Sequence, residues 1–268
     1  MKKHFLLLFI AAAFITSCSS DDDSSNSGDN SLVYLPLTSG SNWDYEISTA
    51  DQPSSFDDLY VGNEVVLNNK TYKQMKNVGM PTGLYCSILR DNALRNEGSK
   101  TFFTGDLSLN LGIDLPIALT VQDFLMLDYN ASNNQVLGSQ SGVIQQDFEG
   151  VPLTINYTFK ITAQENLPTY VTPSNVTYSD VKKVKMTLAL QLVTVQTIPG
   201  TSVTIPITIL STQDVVTATQ FYAKNIGMVY ANDVISYTLA IDPATFNLDI
   251  PQSGSQTVTE TLTTYTIN

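Results

Sequence analysis

The sequence predicts an all-β fold: one domain of antiparallel strands forming a curved open sheet or partly closed barrel, with one or two short helical turns. Three observations carry this. First, apolar and polar residues alternate at period two. Leu153, Ile155, Tyr157, Phe159 and Ile161 interleave with Thr154, Asn156, Thr158, Lys160 and Thr162, and Met186 to Leu192 and Val203 to Ile209 repeat the pattern. That is how an antiparallel sheet with one wet face reads. Second, such runs are separated by turn-forming residues, among them Asn68-Asn69-Lys70, Asp91-Asn92 and Pro199-Gly200, which tolerate the backbone angles a tight hairpin needs. Third, residues 31–268 show no composition break, and a chain that is 43% hydrophobic and 14% charged is rich enough in apolar residues for one substantial core.

Taken in order, Thr38 to Asn42 form a turn cluster, and Trp43, Tyr45 and Ile47 then alternate with Asp44 and Glu46. This predicts a half-buried strand, with the single tryptophan as a core anchor in preference to a ligand-stacking platform. Asp51 to Asp58 predict a helical turn capped by Ser54 or Ser55. Tyr60–Leu67 and Thr71–Lys76 form a hairpin, and Leu84–Arg90 with Ala93–Glu97 form a second around Asp91-Asn92. Leu107 to Tyr129 is the most apolar stretch after the leader. Pro116 divides it, giving a strand over Leu115–Val121 and a helical turn over Gln122–Leu127, in the core or lining a cavity. Pro206 lacks an N–H and places its strand at an edge or a bulge. Met228–Tyr230 and Val234–Leu239 read as a hairpin about Asn232-Asp233. A loop over Asp242–Ser255 precedes a Thr-rich strand, Thr257–Ile267. No internal repeat is evident.

Ahead of this domain the chain reads as an address. Lys2 and Lys3 precede an apolar run of eleven residues, Phe5 to Ile15, short of the roughly 20 needed to cross a bilayer. This predicts a cleaved leader, residues 1–17. Ile15-Thr16-Ser17-Cys18 resembles a bacterial lipobox, and the resemblance implies a diacylglycerol thioether on Cys18 and an acylated new amino terminus. Membrane lipid is then the first partner, since two or more acyl chains hold a protein stably on a membrane. An ordinary cleavage site with a chance cysteine is the alternative. Ser19, Ser20, Asp21, Asp22 and Asp23 resemble the export signal of Bacteroidota surface lipoproteins, which implies the outer face of the outer membrane. A plain solvated linker is the alternative here. Residues 18–30 are small, polar and acidic, a flexible tether. Asp23, Ser25, Ser27 and Gly28 match the first positions of a calcium loop, but Tyr34 stands where its bidentate Glu belongs, and the reading fails.

Without the leader, 25 acidic side chains face 11 basic ones, a charge of about −14, unsuited to nucleic acid or anionic surfaces. The one histidine, His4, lies in the leader, which removes Ser-His-Asp and Cys-His catalysis and histidine-based metal sites from the domain. No cofactor or metal site is indicated. With Cys18 assigned to lipid, Cys86 has no partner in the chain, and Leu84-Tyr85-Cys86-Ser87-Ile88-Leu89 offers no base to activate it. A buried inert thiol is the expectation.

The segment Pro36-Leu37-Thr38-Ser39-Gly40-Ser41-Asn42-Trp43-Asp44-Tyr45 resembles the start of many flavobacterial lipoproteins. So does the late run Phe221-Tyr222-Ala223-Lys224-Asn225-Ile226-Gly227-Met228-Val229. The likeness implies a location and a fold, and no reaction. Nucleotide, zinc and redox motifs are missing. Asp147 and Glu149, two apart on a strand, would be a carboxylate pair for glycan hydrolysis, but Glu149-Gly150 reads as a turn. Asp57-Asp58 as a metal pair fails because adjacent strand residues point apart, and a surface loop explains them. The functional expectation is a non-enzymatic binding module for an apolar or glycan ligand or an outer-membrane partner. Its architecture would be a curved sheet over a lipid-sized cavity, similar to periplasmic lipoprotein carriers. A structural component of a surface complex and a carboxylate-based glycan hydrolase are the alternatives.

Overall fold

The structure is a computed structural model that describes residues 33–50, 52–109, 117–246 and 250–268, with backbone alone at 108, 109, 117 and 118. Among these residues twelve strands form one antiparallel sheet: β1 (Asn42–Thr49), β2 (Ser55–Leu67), β3 (Lys70–Asn77), β4 (Ala93–Glu97), β5 (Lys100–Leu109), β6 (Ile117–Asp128), β7 (Gln135–Phe148), β8 (Val151–Val171), β9 (Thr177–Thr197), β10 (Thr204–Ala223), β11 (Gly227–Thr238) and β12 (Ser253–Thr266). One helix, α1 (Leu84–Leu89), lies between β3 and β4, and a 3-10 turn spans Pro243–Phe246.

The spatial order is β6-β5-β4-β3-β2-β1-β12-β11-β10-β9-β8-β7. Every pairing joins sequence neighbours except that of β1 with β12, which brings the two ends of the domain together. The sheet curls until its edge strands β6 and β7 approach each other. Gln140 Nε2 on β7 donates to Thr120 O on β6 at 3.0 Å, and the ring of Phe124 lies 5.1 Å from that of Phe159. The result is a nearly closed barrel, as the alternation predicts.

Odd-numbered strands run away from the end where residue 33 lies, and even-numbered strands return. Val33 O accepts from Asn225 N at 2.9 Å, and Asn268 N donates to Ser41 Oγ at 3.3 Å, so both ends of the described chain sit here. We call this end proximal. The opposite, distal end carries the β7–β8 and β9–β10 turns, the β11–β12 loop and the segment leading into α1.

Local chemistry explains the hairpins. Asn68 and Asn69 take φ of 50° and 61°, the left-handed pair a two-residue turn requires. Trp43, Tyr45 and Ile47 point inward and are buried, and Asp44 and Glu46 point outward. Trp43 Nε1 donates to Ile226 O, and Tyr45 Oη donates to Met228 O at 3.1 Å. The two sequence segments noted for their resemblance thus pack directly on one another. Burying an aromatic or large aliphatic side chain fully is worth about 2–3 kcal/mol, so this contact is a main fastening of the closed sheet. Pro206 lies on a part of β10 that pairs with β9 alone, beside register shifts at 208–213, as an absent donor demands.

Four expectations are corrected. Leu84–Leu89 is helix, not strand: its buried residues surround the axis, and a short apolar run does not reveal its period until its surroundings are known. Residues 55–58 are the start of β2, not a helical turn, because Phe56 to Asp58 pair with Asp44 to Glu46 of β1. Gln122–Leu127 is strand, not helical turn, paired with β5 around an irregularity at Asp123, whose φ is 50°. Asn232-Asp233 is not a turn; β11 runs through it without a break because β10 and β12 pair with it on both sides.

Candidate functional site

Helix α1 lies inside the barrel. A helix apolar on all sides has to be buried, and Leu84, Tyr85, Cys86, Ile88 and Leu89 all are. Its first N–H groups have no intrahelical acceptors, and no side chain of its own caps it. Carboxylates of the wall take their place. Asp57 on β2 accepts from Thr82 N at 2.9 and 3.0 Å and from Gly83 N at 2.7 Å. Glu260 on β12 accepts from Tyr85 N through Oε1 at 2.7 Å. Gly83 sits against the Glu260 carboxyl and Ile47, where a Cβ would collide with both. Glycine is required by that close approach, so the helix is seated by the barrel and not by its own sequence.

Asp233 on β11 lies beside Glu260. Register places Asp233 opposite Val258 and Glu260 opposite Ala231, diagonal neighbours on the inner face. Both are 0% exposed. Neither oxygen of Asp233, nor Oε2 of Glu260, has a hydrogen-bond donor among the described residues. A proton kept on one carboxyl would let it donate to the other. Burial pushes Asp233 up to about 6, and burial together with the adjacent Asp233 pushes Glu260 well above the ordinary carboxylate range. Below them is a tyrosine cluster. Tyr85 meets Tyr45 edge-on at 5.7 Å and Tyr222 at 6.1 Å, and Tyr222 Oη donates to Gln220 Oε1 at 2.8 Å.

The lumen is therefore filled. Among the described residues, the space left between α1 and the inner faces of β5, β6, β8, β9 and β10 is about 20 Å³, room for a single water. No acyl chain fits there, so the expected lipid-sized cavity is not present in this part of the barrel.

Above the carboxyl pair, at the distal end, a cleft of about 570 Å³ opens between the segment leading into α1 and the next inward residues of β11 and β12. Met80, Thr82, Ser87, Arg90, Ile235 and Gln256 are among its lining. Two hydroxyls, an amide, a guanidinium and apolar groups line one concavity, a mixture suited to an amphiphilic ligand or a sugar. Gly83 and Leu84 belong to the same lining, and they stand between the cleft and the buried Asp233–Glu260 pair. The two carboxyls have no access to a substrate.

The residues the sequence singled out fall as follows. Cys18, Ser19, Ser20, Asp21, Asp22 and Asp23 lie outside the described residues, as do residues 23–28 of the failed calcium loop. Cys86 is buried, and burial raises its thiol well above the usual value. Asp147 accepts from Gly150 N at 2.9 Å, and Glu149 has φ of 51°. Asp147, near the end of β7, and Glu149, in the turn, thus serve to close the β7–β8 hairpin. Asp57 is buried and not on a surface loop as expected, while Asp58 turns the other way to accept from Val78 N at 3.0 Å. No group of three or more metal-ligating side chains occurs among the described residues. Sequence reasoning missed Asp233 and Glu260. The signal was present: Val229, Ala231, Asp233, Ile235 and Tyr237 share one parity, as do Val258, Glu260 and Leu262, so each carboxyl falls on an apolar face.

No protein-family model matches the chain, and no curated protein matches it. Among solved structures, it is similar to a protein of Parabacteroides distasonis ATCC 8503 described as a candidate lipoprotein, with a TM-score of 0.45 and 16% identity over 87% of this chain and 98% of that one. A likeness so distant says nothing of what this chain does.

Proposed function

We propose that the chain is a lipid-anchored protein of the outer membrane, facing the cell exterior, that works by binding and not by catalysis. Its ligand would be an apolar or glycan molecule taken at the distal cleft. The observation that carries this reading is the polarity of the barrel. The described chain starts at the proximal end, so a tether from Cys18 leaves there. The three most exposed large hydrophobics, Met80 at 76%, Val78 at 72% and Phe56 at 70%, lie at the other end, and Met80 lines the cleft. Residues 19–32 extend at most about 3.5 Å each, roughly 50 Å in all, enough to hold the barrel clear of a membrane with the cleft outward. The sequence supports the anchor through Lys2-Lys3, the apolar run, Cys18 and the acidic residues after it.

Proteinase treatment of intact cells tests the location. Cleavage is expected for the wild type and protection for Cys18→Ala and for the triple change of Asp21, Asp22 and Asp23 to Ala. A protected wild type would end the surface assignment. Retention on immobilised polysaccharide or on vesicles of outer-membrane lipid tests the cleft. Ser87→Trp is expected to abolish retention, and a Trp variant held as strongly as the wild type would remove the cleft as the site.

A further inference from the structure

The β9–β10 hairpin runs on past its neighbours. The last residue of β9 in register with β8 is Val193, and the last residue of β10 in register with β11 is Val216. Thr194 Oγ1 still reaches Pro152 O at 2.8 Å, and Ala240 N reaches Ile209 O at 2.8 Å. From Val195 to Pro206 every residue is exposed. The tip is thus a two-stranded ribbon standing off the distal end, and such a ribbon is marginally stable by itself.

Its composition is unlike that of the rest of the chain. No Asp, Glu, Lys or Arg occurs from Met186 to Gln213, in a chain of formal charge −12. Val195, Ile198, Val203 and Ile205 are 55%, 40%, 54% and 42% exposed. Register puts Val195 opposite Pro206 on one face, and Ile205 and Ile207 opposite Gln196 and Thr194 on the other. Both faces therefore present apolar side chains to water, grouped on one short arm, and exposed apolar patches of this kind mark interaction surfaces.

We propose that this arm is a self-association element: two copies of the chain pack their ribbons together about a two-fold axis. Charge selects the occupant. Over most of its surface the chain repels a second copy of itself, whereas the ribbon offers a neutral apolar surface where two copies meet without opposing carboxylates. A symmetric contact uses the same patch twice, so one arm supplies both halves of the interface. It covers the ribbon faces that the barrel leaves open. The inference does not depend on the anchor or on the cleft.

Sedimentation of the full chain in detergent tests it. The wild type is expected to dimerise reversibly with concentration. Variants that carry Val195→Lys and Ile205→Lys together, one lysine on each ribbon face, are expected to weaken association at least about tenfold, because whichever face packs then buries a charge. Fluorescence of Trp43 checks that the variants fold. A second measurement uses oxidative crosslinking, with Ser202→Cys at the tip and Val66→Cys at the proximal end. Covalent dimers are expected from the tip cysteine and not from the proximal one. A wild type that stays monomeric, lysine variants that associate unchanged, or equal crosslinking at both ends would each overturn the proposal.

Discussion

The N–H of Tyr85 donates to Oε1 of Glu260 at 2.7 Å, tying the helix in the lumen to the last strand across 175 positions of sequence. Through this bond the protonation of one buried carboxyl pair bears on how firmly the barrel holds its own filling. Asp57, Tyr45, Cys86 and Tyr222 face the same point from β2, β1, α1 and β10. Among these facing groups there is no cation to compensate a second negative charge.

Stability is therefore expected to fall as pH rises. Asp233 has a folded value of about 6 against an ordinary value of 3.8, so its contribution is complete below about pH 4 and is lost through pH 6. Glu260, raised further, extends the loss to higher pH. The difference between 3.8 and about 6 corresponds to about 3 kcal/mol, several degrees in Tm for a domain of this size. Thermal unfolding at pH 5 and pH 8 measures it. Asp233→Asn should flatten the difference and raise the Tm at pH 8, since an amide fits the same space and donates to Glu260. A wild-type Tm that is equal at both pH values would refute the shared proton.

Opposite behaviour is expected at the outer surface of β4 to β6. Asp123 accepts from Arg95 Nε at 2.7 Å and from Tyr72 Oη at 2.9 Å and is paired with Lys70. Hydrogen bonds from Arg95 in the first place, with those from Lys70 and Tyr72, hold its carboxyl far below the usual range against the opposing effect of burial. A depressed value contributes stability above about pH 4 that disappears only in strong acid. Arg95 is 9% exposed and lies 4.1 Å from the Phe102 ring centroid. Asp123→Ala would leave that guanidinium without its main acceptor, a loss of about 1–3 kcal/mol. Urea unfolding at pH 7 measures it, and a change below about 0.5 kcal/mol would show that the network contributes little. Together with the inner pair, this places the pH of greatest stability in the mildly acidic range.

Gly227 is expected to be intolerant of any side chain. Its φ is 120°, and a Cβ would press on the Trp43 indole and on Leu35. Gly227→Ala should cost more than about 2 kcal/mol, combining backbone strain with a displaced core aromatic. Because Trp43 is the only tryptophan, its emission reports the same event: a red shift is expected in the folded variant. An unshifted spectrum with unchanged stability would mean that the indole is not seated on this corner.

Much of the architecture was legible from residue order. Period-two alternation located β8, β9 and the first half of β10, Trp43-Asp44-Tyr45 marked β1 and its buried face, and Asn68-Asn69 marked a hairpin. The errors share one cause. Leu84–Leu89 reads as a strand because a run of six residues, five of them apolar, fits either period, and the choice was made by Asp57 and Glu260, which satisfy helix N–H groups from distant strands. Asn232-Asp233 reads as a turn because both residues favour turns locally, and two neighbouring strands overrule that preference.

By itself the sequence determined an all-β domain, its wet and dry strand faces, and a neutral apolar hairpin in an acidic chain. These follow from local pattern and composition, which fold and surroundings do not alter. Only the tertiary structure decided that β1 meets β12, that a helix fills the lumen, and that Asp233 and Glu260 come side by side within it. Those outcomes depend on contacts between residues far apart in the chain, and no window of neighbouring residues contains them.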